Sequence, residues 1–281
     1  MFRQFFIIIF VSLVCSSASY GQNLDQTRAL ADEMFAMQQY ESALKHYHRV
    51  AFFADDSVRG TIFPQMAQCY FQTGDYRNSI YYYDLAANST MNDSLANEYL
   101  FARILCFYML EQYDFALQYL YAFQTSESDY FRQRYHFYNA IINMKKGLPD
   151  EAQASFLELV DEAEAKEAIK KEFSSVNLNR PNPTVATILS IVLPGAGQLY
   201  AGDYSNAANS FMLNGLLIGL TYVIAINYSV MDAAMSTASW MQRYYMGGFT
   251  RAGYIAINRK QEKREQLLDR TLGIIELYNE E

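Results

Sequence analysis

Four stretches of the chain align with one another: "QQYESALKHYHRV", "GDYRNSIYYYDLA", "EQYDFALQYLYAF" and "GLPDEAQASFLEL". Their shared small residues, Ala43, Ser79, Ala116 and Ala152, stand 36, 37 and 36 residues apart. A repeat of that length constrains the fold strongly. Each copy is one supersecondary unit that cannot bury its own apolar face, so consecutive copies must stack. Three residues before the small residue, the first three copies carry Tyr40, Tyr76 and Tyr113. Four residues after it come Tyr47, Tyr83, Leu120 and Phe156, and twelve before it Ala31, Ala67, Ile104 and Ala140. A small residue on each of two helices lets the pair approach, and the bulky residue one turn later fills the space beside it. Gly74 and Gly147 fall where the first helix of a pair must stop, as C-terminal caps. The expectation is an all-α chain with one antiparallel helix pair per copy.

This layout resembles the tetratricopeptide repeat (TPR), slightly longer than that family's usual length of about 34 residues. The likeness covers residues 24–173, and the second and third copies match best. The first has Met34 where an aromatic is usual; the fourth has Pro149 in place of the tyrosine and Asn143 at an expected core position. The resemblance implies a TPR-like helical-hairpin solenoid in which the first helix of each pair lines a groove. Phe35, Phe71 and Tyr108 share one phase on those helices and Phe101 and Phe137 another, so these five are the candidate partner-binding residues. Either they offer rings to an extended peptide or amphipathic helix, or they pack between repeats. Asp25, Asp32 and Glu98 on the same helices fit a basic partner or a merely solvated face.

The first residues, "MFRQFFIIIFVSLVCSSASYGQ", read as a secretory signal, with Arg3 ahead of an apolar run at 5–14 and small polar residues before a cleavage site after Gly21. The run is short for a span needing about 20 apolar residues. Lipidation at Cys15 is disfavoured, because Ser12, Leu13 and Val14 lack the small residues that precede a lipidated cysteine. Cys69 and Cys106 remain after cleavage, in a compartment that permits disulfides. Stacked helices sit about 8–10 Å apart, whereas a bridge needs α-carbons within about 7 Å; two buried thiols are favoured.

Residues 162–173, "EAEAKEAIKKEF", are strongly helix-forming and close the repeats. The polar segment 174–183, with two prolines, is expected as a linker between the repeat domain (22–173) and an apolar helical module (184–258). From Thr184 to Gln242 the only charges are Asp203 and Asp232. Residues 211–230 form a twenty-residue run without charge, long enough for a bilayer core of about 30 Å. Gly215 and Gly219, four apart, allow close helix contact in lipid. Pro194 ends an apolar helix, and Gly195, Gly197 and Gly202 permit tight backbone geometry. A nucleotide loop is disfavoured, since a dinucleotide site needs an alternating βα context and a P-loop needs a lysine, and none lies between 172 and 259.

At these residues the chain resembles a recurrent bacterial membrane module with the signature P-G-x-G-Q-x-Y-x-G, matched by Pro194, Gly195, Gly197, Gln198, Tyr200 and Gly202. Trp240, Tyr244, Tyr245, Gly247 and Gly248 look like its second half. The resemblance implies a small helical membrane segment and supplies no catalytic residues. Trp240 and its neighbouring tyrosines suit a membrane–water boundary or an ordinary core. A helical hairpin turning at 200–206 is expected, with a re-entrant loop at 184–203 and a third apolar helix at 233–257 as open alternatives. The last segment, 259–281, sets Leu267, Leu268, Thr271, Ile274, Ile275 and Tyr278 on one helical stripe. Arg259, Lys260, Lys263 and Arg264 ahead of it mark a membrane-proximal basic patch or a solvated helix start.

A net charge of −8 argues against nucleic acid, which wants a basic footprint. His46 and His48, two apart on a helix, point in nearly opposite directions and cannot share a metal. No nucleophile-elbow turn and no paired acid and base stand out, so no enzyme, no cofactor and no nucleotide is expected. The expectation is a non-enzymatic adaptor or scaffold of the bacterial cell envelope, with periplasm-facing repeats, a protein partner in their groove and membrane lipid around the module. Alternatives are a membrane component in insertion or transport with regulatory repeats, or a soluble all-helical binding protein.

Overall fold

The computed structural model describes residues 23–123, 128–176 and 178–279, so the signal segment expected at 1–21 lies outside the described residues. Among them the chain forms thirteen α-helices and no strand. In order these are α1 Leu24–Ala36, α2 Tyr40–Phe53, α3 Asp56–Gln72, α4 Tyr76–Ser89, α5 Asp93–Met109, α6 Tyr113–Tyr121, α7 Asp129–Lys146, α8 Pro149–Leu157, α9 Ala163–Ser175, α10 Pro183–Val192, α11 Ala196–Tyr200, α12 Tyr204–Asn227 and α13 Val230–Asn279.

Local chemistry sets many of the starts. Asn23, Asp55, Asp75, Asn92, Asn182 and Asp203 each cap a helix by accepting a backbone N–H of its first turn. Pro149 and Pro183 open α8 and α10, where a missing N–H costs nothing.

Two compact units divide the chain between Ile142 and Asn143. The division falls inside α7, ahead of the polar 174–183 segment expected to separate the domains. The end of α7, with α8 and α9, belongs to the C-terminal unit.

In the N-terminal unit each helix packs on its neighbours in sequence, α1 on α2, α2 on α3 and so on to α6. The small-residue ladder is where these hairpins close: Ala31, Ala43, Ala67, Ser79, Ile104 and Ala116 are all fully buried. The bulky partners Tyr47 and Leu120 are fully buried too, and the Tyr47 hydroxyl reaches Asp32 Oδ1 at 2.6 Å. Each hairpin turns through one left-handed residue, Gln38, Gly74, Glu111 and, in α7–α8, Gly147, at φ 60, 80, 57 and 87°. At Gly74 its own N–H donates to the Phe71 carbonyl and the next N–H, of Asp75, to the Tyr70 carbonyl. The same two hydrogen bonds recur at the other three corners, which is the Schellman closure of a helix end.

In the C-terminal unit α13 is the spine. It runs 50 residues without a break, so the division expected at 258/259 does not exist: nothing between Tyr254 and Leu267 interrupts a helix. Its first half packs on α10, α11 and α12, and its second half on α9. The expected tail stripe is inward-facing, with Leu267 and Thr271 at 0% and Ile275 at 8% exposure. Salt bridges Lys145–Glu265 (3.2 Å) and Arg270–Glu172 (3.3 Å) flank it. The basic cluster ahead of the stripe is partly spent in this packing. Lys263 Nζ donates to the Arg180 carbonyl at 3.0 Å, and Arg264 lies so close to Gly147 that a Cβ there would sit 2.7 Å from its guanidinium.

The hairpin expected between 184–200 and 207–230 is also redrawn. α10 is ten residues, roughly 15 Å, and packs on α13 rather than α12; the long apolar pair is α12 with α13.

Candidate functional site

Phe35, Phe71 and Tyr108 are half-buried. Each lies against the tyrosine that opens the next helix, Tyr40, Tyr76 and Tyr113, with ring centroids 5.8, 5.3 and 5.8 Å apart. They fasten the hairpin corners. Phe101 is fully buried, 5.2 Å from the Phe123 ring and stacked 6.0 Å from Phe131. A ring with no exposed surface cannot line a groove, so Phe101 is core. Of the five candidates only Phe137 counts as exposed, at 39%.

The exposed rings of the first three hairpins sit elsewhere: Phe52 and Phe53 on α2, Tyr81 on α4, Phe115 and Tyr121 on α6. All are on second helices. The first helices α1, α3 and α5 expose none. Beside them run two equivalent stacks that the sequence reading missed, Tyr70 on Tyr82 at 5.3 Å and Phe107 on Tyr119 at 5.1 Å. Both pairs obey the repeat, since Tyr70 and Phe107, like Tyr82 and Tyr119, are 37 residues apart; that register was the available signal. His48 Nε2 hydrogen-bonds Tyr70 Oη at 2.7 Å, and burial holds the imidazole pKa below its ordinary value. Arg103 lies 4.4 Å over the Tyr119 ring and pairs with Asp84 at 2.5 Å.

Cys69 and Cys106 are free and buried. Cys106 Sγ donates to Ser79 Oγ at 3.3 Å, which donates in turn to the Ala67 carbonyl at 2.8 Å. Burial pushes the Cys69 thiol up to about 12 and raises that of Cys106. Both stay protonated and poorly nucleophilic near neutrality.

The glycine motif forms a packed junction. Gly195 is left-handed at φ 97°, and a Cβ there would meet the Ala207 carbonyl oxygen at 2.5 Å. At Gly197 a Cβ would lie 1.8 Å from the Ala186 carbonyl oxygen, so α10 and α11 touch backbone to backbone. Gln198 is 1% exposed. Its Oε1 accepts from Ser190 Oγ at 2.8 Å and its Nε2 donates to the Gly248 carbonyl at 2.9 Å. Gly197 N–H donates to the same Ser190 Oγ at 3.0 Å. Tyr200 Oη accepts from Asn182 N–H at 3.1 Å, and Tyr245 Oη donates to the Ile191 carbonyl at 2.5 Å. Gly202, left-handed at φ 82°, turns the chain into α12. Pro194, between the end of α10 and this turn, stops that helix. Every polar side chain of the motif is thus satisfied within the protein.

Gly215 and Gly219 do not bring helices together: a Cβ at either would meet nothing within 4 Å. α12 and α13 are joined instead by Thr221 Oγ1 donating to Thr237 Oγ1 at 3.0 Å, beside buried Ala233. α12 is the one described helix long and apolar enough to cross a membrane, and of its most apolar eighteen-residue window 6% is buried. Leu216, Leu220, Val223 and Ile226 are all at least half exposed. Trp240, stacked on Tyr244 at 6.0 Å, sits roughly 15 Å along α13 from its start, near the middle of the hairpin with the 24-residue α12 rather than at either end of it. The exposed tyrosines at the hairpin's ends are Tyr228 at the tip and Tyr204 and Tyr254 at the base.

Between the base of α12 and α13 lies a cavity of about 280 Å³. Ser210, Asn209, Asn214, Arg243, Gly247 and Arg251 contribute to its wall. Comparison with family models, with curated proteins and with solved structures finds no match to the chain.

Proposed function

We propose that this protein is a non-enzymatic adaptor of the bacterial cell envelope, built as an exported TPR-like solenoid and fixed to a membrane by the α12–α13 hairpin. One observation carries the membrane part. A twenty-four-residue apolar helix of whose most apolar window only 6% is buried supports a lipid-facing segment over the core helix of a soluble protein, which would be mostly covered. About 30 Å of hydrocarbon accommodates it. Tyrosines at both ends of the hairpin support the same reading, because amphipathic rings collect at the two membrane boundaries. The recurring left-handed corner, at the period of the small-residue ladder, supports a stack of like hairpins.

A protein segment is the partner proposed for the repeats. The surface offered to it is the row of rings on second helices, Tyr81, Phe115 and Tyr121 among them. Asp84, one turn along α4 from Tyr81 and with half of its side chain exposed, gives that row a polar handle.

The test is extraction of membranes with alkaline carbonate. The full chain should stay in the pellet, and Leu216→Lys with Leu220→Lys should shift most of it to the supernatant, since each lysine at the core of a span costs about 2.5–3.5 kcal/mol. In a water-soluble protein two exposed leucines changed to lysine would alter neither folding nor fractionation. A supernatant fraction equal for both proteins rejects the anchor.

A further inference from the structure

We infer that the cavity at the base of the α12–α13 hairpin binds the phosphate of an anionic phospholipid headgroup between Arg243 and Arg251; the inference rests on the membrane reading above. Arg243 and Arg251 are among the few charges of the apolar part of the chain, and neither has an ion-pair partner within 4 Å among the described residues. They lie eight residues apart on one helix, so both face the cavity that they line. A third group is unspent. Ser210 Oγ, buried in the cavity wall, has no hydrogen-bond partner within the protein, and a buried hydroxyl in that state calls for one. The neighbouring Asn209 and Asn214 add amide groups to the wall, and Gly247 leaves it without a side chain. Two guanidinium forks, a hydroxyl and amides are donor chemistry for a phosphate.

Depth selects the lipid as its source. With the tip of the hairpin at one membrane boundary, Arg251 stands roughly 32 Å along α13 and Arg243 roughly 20 Å. The hydrocarbon core is about 30 Å thick. Arg251 is therefore level with the headgroups of the far boundary, and Arg243 lies about 10 Å inside it, within reach by extending its side chain toward the polar layer. Asn206 and Asn209, on the first turns of α12, stand at the same level. A carboxylate, Asp203, close enough to Arg251 to feel its charge, accepts from Asn206 N–H at 3.0 Å and from its side-chain amide at 2.7 Å. It lowers the positive potential of the cavity without closing it. A headgroup of net negative charge is preferred, because the two arginines exceed that single carboxylate.

The experiment uses the full chain purified in a neutral detergent and exchanged into nanodiscs of phosphatidylcholine with 20% phosphatidylglycerol, on the order of common bilayer mixtures. Phospholipid that stays with the protein on re-extraction is quantified by mass spectrometry. Phosphatidylglycerol should be retained in preference to phosphatidylcholine, and the preference should fall at least about tenfold in Arg243→Gln with Arg251→Gln. Ser210→Ala should lower it about threefold, and salt should weaken it in the wild-type protein. Trp240 emission and helicity report folding, and should the double variant misfold, the Ser210→Ala and salt arms decide. Equal retention of the two lipids, or a preference unmoved by these changes, overturns the inference while leaving the anchor intact. Displacement by inorganic phosphate with no lipid preference assigns the cavity to a free anion and overturns it equally. Carbonate release of the wild-type chain is the separate failure of the membrane reading.

Discussion

At Gly74 the backbone stands at φ 80° and a methyl group added there would meet nothing within 4 Å, whereas at Gly197 it would lie 1.8 Å from a carbonyl oxygen. The first glycine is needed for a conformation and the second for proximity. The difference extends to the regions around them. The helix hairpins of the N-terminal unit bury a set of large residues where they meet, with Tyr47, Ile62, Met66 and Phe101 fully buried, so packing fixes how they fit. The apolar helices of the C-terminal unit leave theirs uncovered. An apolar exterior gives no direction to helix association in lipid, where small residues and hydrogen bonds between helices do that work. The buried Ser190–Gln198–Gly248 network and the Gly197 contact join the helices here by hydrogen bonds and backbone proximity.

The sharpest way to break the comparison is Gly197→Ala. Ordinary overpacking costs about 1–3 kcal/mol, but here the obstacle is backbone on both sides and no rotamer relieves it. The junction of α10, α11 and α13 should come apart, while the hairpins of residues 23–142 stay folded. The single tryptophan, Trp240, reports the affected unit alone. Its emission should lose its cooperative transition on denaturation, with most of the far-ultraviolet helix signal retained. An unchanged Trp240 transition would mean that the close approach at Gly197 does not exist.

Next in size is a pair of ring deletions in the N-terminal unit. Phe101→Ala should cost about 3–5 kcal/mol by leaving a cavity, read as a fall in the midpoint of thermal unfolding. Tyr81→Ala, at a ring 56% exposed, should change stability by less than about 0.5 kcal/mol and weaken capture of a protein partner. The reverse ranking would return Phe101 to a groove and Tyr81 to the core.

The unequal success of the sequence reading follows from the same contrast. The hairpins were legible because a small residue buried at a helix contact recurs at a fixed spacing, and Ala43, Ser79, Ala116 and Ala152 are each fully buried. Both free thiols and the glycine corners at 74 and 147 were legible for the same reason. Which ring faces out was not. Phe101 and Phe137 share a phase, yet one is buried and the other exposed, because the neighbours that cover a helical face come from elsewhere in the chain. Gln198 was legible only as a position of the glycine motif; its two hydrogen bonds span residues 190 to 248, and no local pattern announces a partner fifty residues on. Nor did the charged run at 259–264 look like the middle of one helix. Charge usually marks a surface, and here it is the point where α13 passes from its apolar neighbours to α9.

The smallest effects test whether the repeat corners are one device. Gln38 and Glu111 hold the left-handed conformation that Gly74 and Gly147 hold, although for a residue with a Cβ it costs roughly 1–2 kcal/mol. Glu111→Gly removes that strain but adds backbone freedom to the unfolded chain worth about 0.4–1 kcal/mol, so a net gain of about 0.5 kcal/mol is expected. Gly74→Ala runs the exchange backwards: the added methyl group touches nothing, and the same two terms now combine to a loss of similar or somewhat greater size. Opposite signs at two positions 37 residues apart, measured by chemical denaturation, are the signature of a shared corner. If both substitutions destabilise, Glu111 is held by side-chain contacts of its own and the corners are alike only in their backbone trace.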